Sequence, residues 1–182
     1  MADTFADTDA VSITEHPFDA MVDVRVDLPG PGATAAAEVL GMALPTVAST
    51  YAVNGDATAI WLGPDEWLVT TRSSTGDEFE SRLREVITPH GGAATDVSGQ
   101  RTTLRLSGFR ARDVLAKGCS LDLHPRVFGP GTAAQTMLGQ AGIVLMAFDD
   151  AGTDYRILVR TSFARYLVAW LLDAAAEYTT TG

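Results

Sequence analysis

Residues 96–128 read DVSGQRTTLRLSGFRARDVLAKGCSLDLHPRVF and hold the clearest strand-to-helix transition in the chain. Thr102 to Leu106 alternates polar and apolar side chains, the pattern of a strand with one buried face. Ser107-Gly108 breaks that strand, and Ala111, Val114 and Leu115 then fall on one side of a short helix. Gly118 follows at the place of a left-handed C-terminal cap, a conformation glycine adopts without steric penalty. The same stretch carries the chain's single lysine, Lys117, its single cysteine, Cys119, and one of its three histidines, His124.

The element order here repeats one met earlier in the chain. Met21 to Leu28 alternates Val22, Val24, Val26 and Leu28 with charged residues, and Pro29-Gly30-Pro31-Gly32 leads into an alanine-rich helix ending at Gly41. Val47 to Val53 and Thr58 to Leu62 flank Asn54-Gly55-Asp56, a hairpin signal. Gly63-Pro64-Asp65 turns between two further strands, with Trp61 and Trp67 on either side; strand tryptophans of this kind are core before they are ligand platforms. Thr75 with Glu78 forms a capping box for a helix whose stripe is Phe79, Leu83, Val86 and Ile87, with Glu78–Arg82 and Glu80–Arg84 at the supportive spacing.

After the opening stretch and the Gly129-Pro130-Gly131 turn, residues 132–138, 143–148 and 155–160 read as strands. Asp149 to Gly152 is a hairpin loop between the last two. Ser162 stands as the cap of a final helix with the stripe Phe163, Leu167, Trp170, Leu171 and Ala174. Val168 and Leu172 widen that face toward a buried position or a subunit interface.

Strand, helix, strand, strand, strand, helix therefore occurs twice. Val39-Leu40 matches Val114-Leu115, Gly41 to Leu44 matches Gly118 to Leu121, and the helix stripes match at a constant offset. The expected fold class is α+β: two tandem units with mainly antiparallel sheets and helices on one face of each. The expected division is a mobile acidic tail over 1–20, anchored near His16-Pro17-Phe18, a first unit over 21–92 and a second over 93–182.

Composition narrows the function. The net charge of −10 disfavours nucleic acid, and no apolar run reaches the length of a membrane span. Residues 1–100 hold 4 arginines against 16 acids, whereas residues 101–182 hold 8 arginines and Lys117 against 7 acids. An acidic N-terminus without lysine or arginine before Arg25 reads as neither a secretory signal nor a transit peptide, and a single cysteine fits a reducing cytoplasm.

Chemistry is sparse. There is no phosphate loop, nucleophile elbow, zinc helix or calcium loop. Cys119 beside Lys117 and His124 is a formal nucleophile candidate, but a lone cysteine after a helix is more often packed. Asp122-x-His124 supplies fewer ligands than zinc needs. The clustered arginines (Arg101, Arg105, Arg110, Arg112 and Arg126) are the main interaction feature, and surface solvation is the competing account.

WLGPDEWLV at 61–69, DVSGQRTTLRLSG at 96–108, ARDVLAKGCSLDLHPRVF at 111–128, AQTMLGQAGIVL at 134–145 and YRILVRTSFARYLVAWLLDA at 155–174 together resemble the gamma subunit of heterotetrameric sarcosine oxidase, and HPFDAMVDVRVD at 16–27 extends the likeness. The resemblance implies a fold similar to the folate-binding aminomethyltransferases. It also implies a complex that demethylates sarcosine oxidatively to glycine, forms hydrogen peroxide and passes the one-carbon unit to tetrahydrofolate. FAD, FMN, NAD, zinc and tetrahydrofolate would belong to the alpha, beta and delta subunits, with alpha the main contact. This chain would hold no cofactor and no catalytic residue.

Arg101, Arg110, Arg112, His124, Arg126 and Phe128 are the interface candidates, the last three in the HPRVF loop. Two alternatives share the fold: a free-standing folate-dependent aminomethyltransferase-like protein and an iron–sulfur assembly protein. Lys117-Gly118-Cys119 is similar to the start of the latter's signature, but Ser120-Leu121-Asp122 departs from its continuation.

Overall fold

The alternation beginning near Met21 becomes β3 (Ala20–Arg25), the strand beside which the rest of its sheet assembles. A computed structural model describes residues 3–16 and 19–179. It divides into two compact units, one of Phe18–Ser98 and one joining Met1–Pro17 to Gly99–Gly182.

Two strands precede β3 in the chain, β1 (Thr4–Asp7) and β2 (Ser12–Glu15). The Phe18–Ser98 unit then continues with α1 (Pro31–Leu40), β4 (Tyr51–Asn54), β5 (Ala57–Gly63), β6 (Glu66–Thr71), α2 (Gly76–Ile87) and β7 (Ala93–Asp96). Its sheet order is β4-β5-β6-β3-β7, antiparallel throughout. Val22, Val24 and Val26 point into one core with Trp67, Val69, Leu83 and Ile87. Trp61 and Trp67 stand directly opposite one another across the Gly63-Pro64-Asp65 turn, and the fully buried Trp67 donates from Nε1 to Pro45 O at 2.8 Å.

Pro31 opens α1, where its missing amide costs no hydrogen bond. The helix closes on Gly41 with φ 65°, and Met42 N donates back to Ala37 O. On α2 the reciprocal capping box of Thr75 and Glu78 is present, which holds the Glu78 carboxyl below its usual range through hydrogen bonds from Thr75 and Ser74. Arg84 pairs with Glu80 as expected. The strand expected from Val47 begins only at Tyr51, because residues 47–49 form a turn in which Ser49 takes φ 61°.

The second unit runs β8 (Arg101–Ser107), α3 (Ala111–Ala116), β9 (Ala133–Leu138), β10 (Ala141–Ala147), β11 (Asp154–Arg160) and α4 (Ala164–Thr179). Its sheet order is β1-β2-β8-β11-β10-β9. One face, carrying Leu104, Leu106, Tyr155, Ile157 and Leu145, packs with Val114, Leu115, Leu167 and Leu171 of the helices. Val144, Met146 and Leu158 are buried as well although they point the other way, which explains why IVLMA reads as a continuous apolar run.

Three sequence expectations need correction. Residues 1–20 are not a mobile tail throughout: β1 and β2 form a hairpin, β2 pairs with β8, and Val11 and Ile13 are completely buried. Only three large apolar side chains lie among residues 3–16, too few to make a periodic signal, so the hairpin becomes visible only through its partner strand. Of the expected anchor, Pro17 and Phe18 lie outside the described residues.

The unit boundary falls at Ser98/Gly99 and not at 92/93. β7 pairs with β3, and the buried Ser98 hydroxyl accepts from Met21 N at 2.9 Å. Finally, α4 starts at Ala164 after a 3-10 turn over Thr161–Phe163, which places Ser162 inside that turn. Among the described residues no helix is long and apolar enough to cross a membrane.

Candidate interaction surface

Each residue that looked reactive in the opening stretch has a local structural task. Lys117 follows α3 and reaches the end of α4, where its ammonium donates to Ala174 O, pairs with Glu177 and lies 4.8 Å from the Tyr178 ring centre. The hydrogen bond to Glu177 raises the lysine pKa. A cation beside the last turns of a helix is favoured by the helix dipole. The contact ties two helices together and leaves the ammonium engaged there.

Cys119 is buried in the same core as Leu115 and Leu138; its amide donates to Leu115 O at 2.9 Å, and it bridges to Leu138. Gly118 is not left-handed. The residue after α3 is Lys117 in ordinary helical geometry, and glycine is required next for a different reason: a Cβ there would stand 2.4 Å from Trp170 Cζ2. Asp122 Oδ1 accepts from His124 N at 2.9 Å, and His124 Nδ1 accepts from Arg126 N at 3.2 Å. These bonds shape the HPRVF loop as a tight turn. Among the described residues no three His, Cys, Asp or Glu side chains are grouped to hold a metal.

The six interface candidates do not form one patch. Arg101 is half-buried at the start of β8, whose two ends are about 20 Å apart at strand spacing, and Arg110 lies beyond the far end. Arg110 pairs with Asp113 at 2.9 Å and lies 5.7 Å from the ring centres of both Phe109 and Tyr178. Arg112 and His124 line a shallow cleft of about 210 Å³ together with Asp113 and Asp122, so its charge is mixed. Arg126 is exposed. Phe128 belongs to the core at 6% exposure, which removes it as a docking residue. Phe128 N donates to His124 O, and that turn directs the ring inward while Val127 is left 61% exposed.

Sequence reasoning missed Val127 and Phe109, which is 63% exposed beside Arg110. Neither belongs to a helical or strand period, and a solitary apolar residue in a loop gives no signal of whether it packs. Tyr155 is the remaining buried polar group of note: its hydroxyl has no hydrogen-bond partner among the described residues, and burial pushes its phenol up to about 12.

Residues 25–177 match the sarcosine oxidase, gamma subunit family. The chain belongs to that family. The sarcosine oxidase subunit gamma of Corynebacterium sp. (strain P-1) is 38% identical over 170 residues, which cover 92% of this chain and 81% of that protein. That of Corynebacterium sp. (strain U-96) is 34% identical, covering 93% and 81%.

Among solved structures, a chain of the heterotetrameric sarcosine oxidase from Corynebacterium sp. U-96, in complex with pyrrole 2-carboxylate, superposes with a TM-score of 0.87 at 30% identity, covering 97% of this chain and 90% of that one. The aminomethyltransferase T of the glycine cleavage system from Bartonella henselae shares the fold, at a TM-score of 0.56 and 17% identity, over 87% of this chain and 44% of its own. The α+β fold of the sarcosine oxidase gamma subunit family is thus the one expected from the duplicated element order and the resemblance.

Proposed function

We propose that this protein is the non-catalytic gamma subunit of a heterotetrameric sarcosine oxidase, packing on and stabilising the large alpha subunit. The observation carrying this reading is the 0.87 superposition, over 97% of the chain, on a chain of a heterotetrameric sarcosine oxidase. The complex would demethylate sarcosine oxidatively to glycine, reduce oxygen to hydrogen peroxide and pass the one-carbon unit to tetrahydrofolate. FAD, FMN, NAD, zinc and the folate site would lie in the alpha, beta and delta subunits. The non-catalytic role is supported by the positions of Lys117, Cys119 and His124, each committed to helix docking, core packing or a turn.

Co-expression with the flavin-containing large subunits tests the reading. This chain is expected to co-purify with them, and its omission to lower the yield and thermal stability of sarcosine-dependent peroxide-forming activity. A Cys119→Ala variant should assemble and support turnover as the wild type does. Tight binding of tetrahydrofolate by the isolated chain, with no association with the large subunits, would overturn the proposal in favour of a folate-dependent enzyme.

A further inference from the structure

The arginine-bearing loops are partly neutralised within their own chain, as the Arg110–Asp113 pair shows. The other unit presents a different kind of surface. Leu28, Pro29, Thr46, Ala48, Trp61 and Pro64 line a groove of about 430 Å³ in the Phe18–Ser98 unit. All but Thr46 are apolar, and all but the half-buried Trp61 are exposed. Val47, next to two of them in the chain, is 66% exposed, the largest value for any big apolar side chain among the described residues. Apolar patches bordered by polar residues mark interaction sites.

Two features suit this groove to binding. First, it is stiff. Proline, alanine and tryptophan have few rotatable bonds, so covering them loses little side-chain entropy. The turn that presents Val47 is fixed by a 2.7 Å hydrogen bond from Thr50 Oγ1 to Val47 O. It also holds Ser49 at φ 61°, a conformation that costs a non-glycine residue energy and tends to persist at functional surfaces.

Second, its border is acidic. Asp27 and Asp65, exposed, adjoin Leu28 and Pro64, and Asp23 and Glu66 lie nearby around a single cation, Arg25, which is shared among Asp23, Asp65 and Glu66. The whole unit holds 4 arginines against 12 acids over residues 18–98.

We infer that this groove docks a partner-protein segment in which an apolar side chain is flanked by lysine or arginine. The apolar side chain fills the groove against Trp61, and the cations meet Asp27 and Asp65. Charge-poor centres with charged rims are the anatomy of protein interfaces, and tryptophan is enriched among the residues that dominate their affinity. The inference rests on the subunit reading above, which makes the alpha subunit the natural source of the segment.

The test uses the full chain co-expressed with the large subunits. Leu28→Asp puts charge into the groove and Val47→Asp puts it on the exposed turn beside it, and Asp27→Lys with Asp65→Lys reverses the rim. Each should weaken association by about tenfold or more, with far-UV circular dichroism and melting temperature of the isolated chain unchanged. Wild-type affinity should fall as salt is raised. Arg110→Glu with Arg126→Glu serves as the control and should assemble normally. If the wild type assembles and the groove variants match it, or if assembly ignores salt, or if only the arginine variant fails, the groove is not the docking site and the subunit reading stands. If the wild type itself does not assemble, both fall.

Discussion

The two units share one strand order and complete it by different means. In each, the first strand pairs with the fourth, the fourth with the third and the third with the second: β3, β6, β5, β4 in one and β8, β11, β10, β9 in the other. The free side of the first strand is then covered differently. The Phe18–Ser98 unit uses β7, which follows its own second helix, whereas β8 receives β2 from the N-terminal hairpin. An uncovered central strand would expose a row of unpaired amides and carbonyls, so each unit needs an added strand from somewhere. Duplication fixes the core order, and the covering strand follows the second helix in one unit and comes from the N-terminal hairpin in the other.

The same lesson holds at single residues. Gly41 and Gly118 occupy corresponding places after the first helices but are glycine for different reasons. Gly41 has φ 65° beside Asn54, whose amide donates to Leu40 O and Gly41 O. Gly118 leaves room for Trp170. The final helices agree at Leu83 with Leu167 and at Ile87 with Leu171, all fully buried, but Phe79 is buried where its counterpart Phe163 is exposed.

The largest expected effect tests the N-terminal hairpin. Ile13→Ala should destabilise the protein by about 2–5 kcal/mol, the cost of emptying a fully buried aliphatic site. Chemical denaturation reads it directly. A change indistinguishable from that of an exposed substitution would return residues 3–16 to the status of a tail and break the comparison.

A smaller effect separates the two glycines. Gly118→Ala should cost about 1–3 kcal/mol through overpacking, and most of that should vanish in a Trp170→Leu background. Gly41→Ala should cost about 1–2 kcal/mol from left-handed backbone, and this part should persist after Asn54→Ala. Equal rescue at both positions would mean that the repeat uses glycine in one way after all.

The smallest effect concerns pH. In the Phe18–Ser98 unit, Asp56 accepts from Ser73 Oγ, Arg72 N and Thr71 Oγ1 at 2.7–2.9 Å, and these bonds, led by Ser73, hold its carboxyl well below the usual range. A depressed carboxylate contributes stability that is present above its unfolded pKa and lost as pH falls. Asp56→Asn should therefore flatten the acid limb of the stability curve, by no more than about 1 kcal/mol at so solvated a site.

Tyr155 in the other unit acts at the opposite end. Its raised pKa means that stability is intact below the unfolded value near 10 and declines as pH climbs toward 12. Tyr155→Phe should flatten that alkaline limb. At neutral pH it should be neutral or stabilising by up to about 1 kcal/mol, since it removes a buried hydroxyl that has no partner among the described residues. Swapped behaviour of the two variants would refute the assignment.

By itself the sequence determined the duplicated element order, the core stripes of α2 and α4, the hairpin at Asn54-Gly55-Asp56 and the family. Those features are written in local periodicity, turn chemistry and ordered segment matches, all of which act between residues close in the chain. Tertiary structure alone decided that residues 4–15 complete a sheet through Arg105 and its neighbours in β8, roughly ninety positions away. It alone turned Phe128 inward and left Val47 and Val127 outward, and it gathered Leu28, Thr46, Trp61 and Pro64 into one groove. Burial is a property of what lies across the fold, and neither spacing nor composition encodes which strand edge or loop a given side chain will meet.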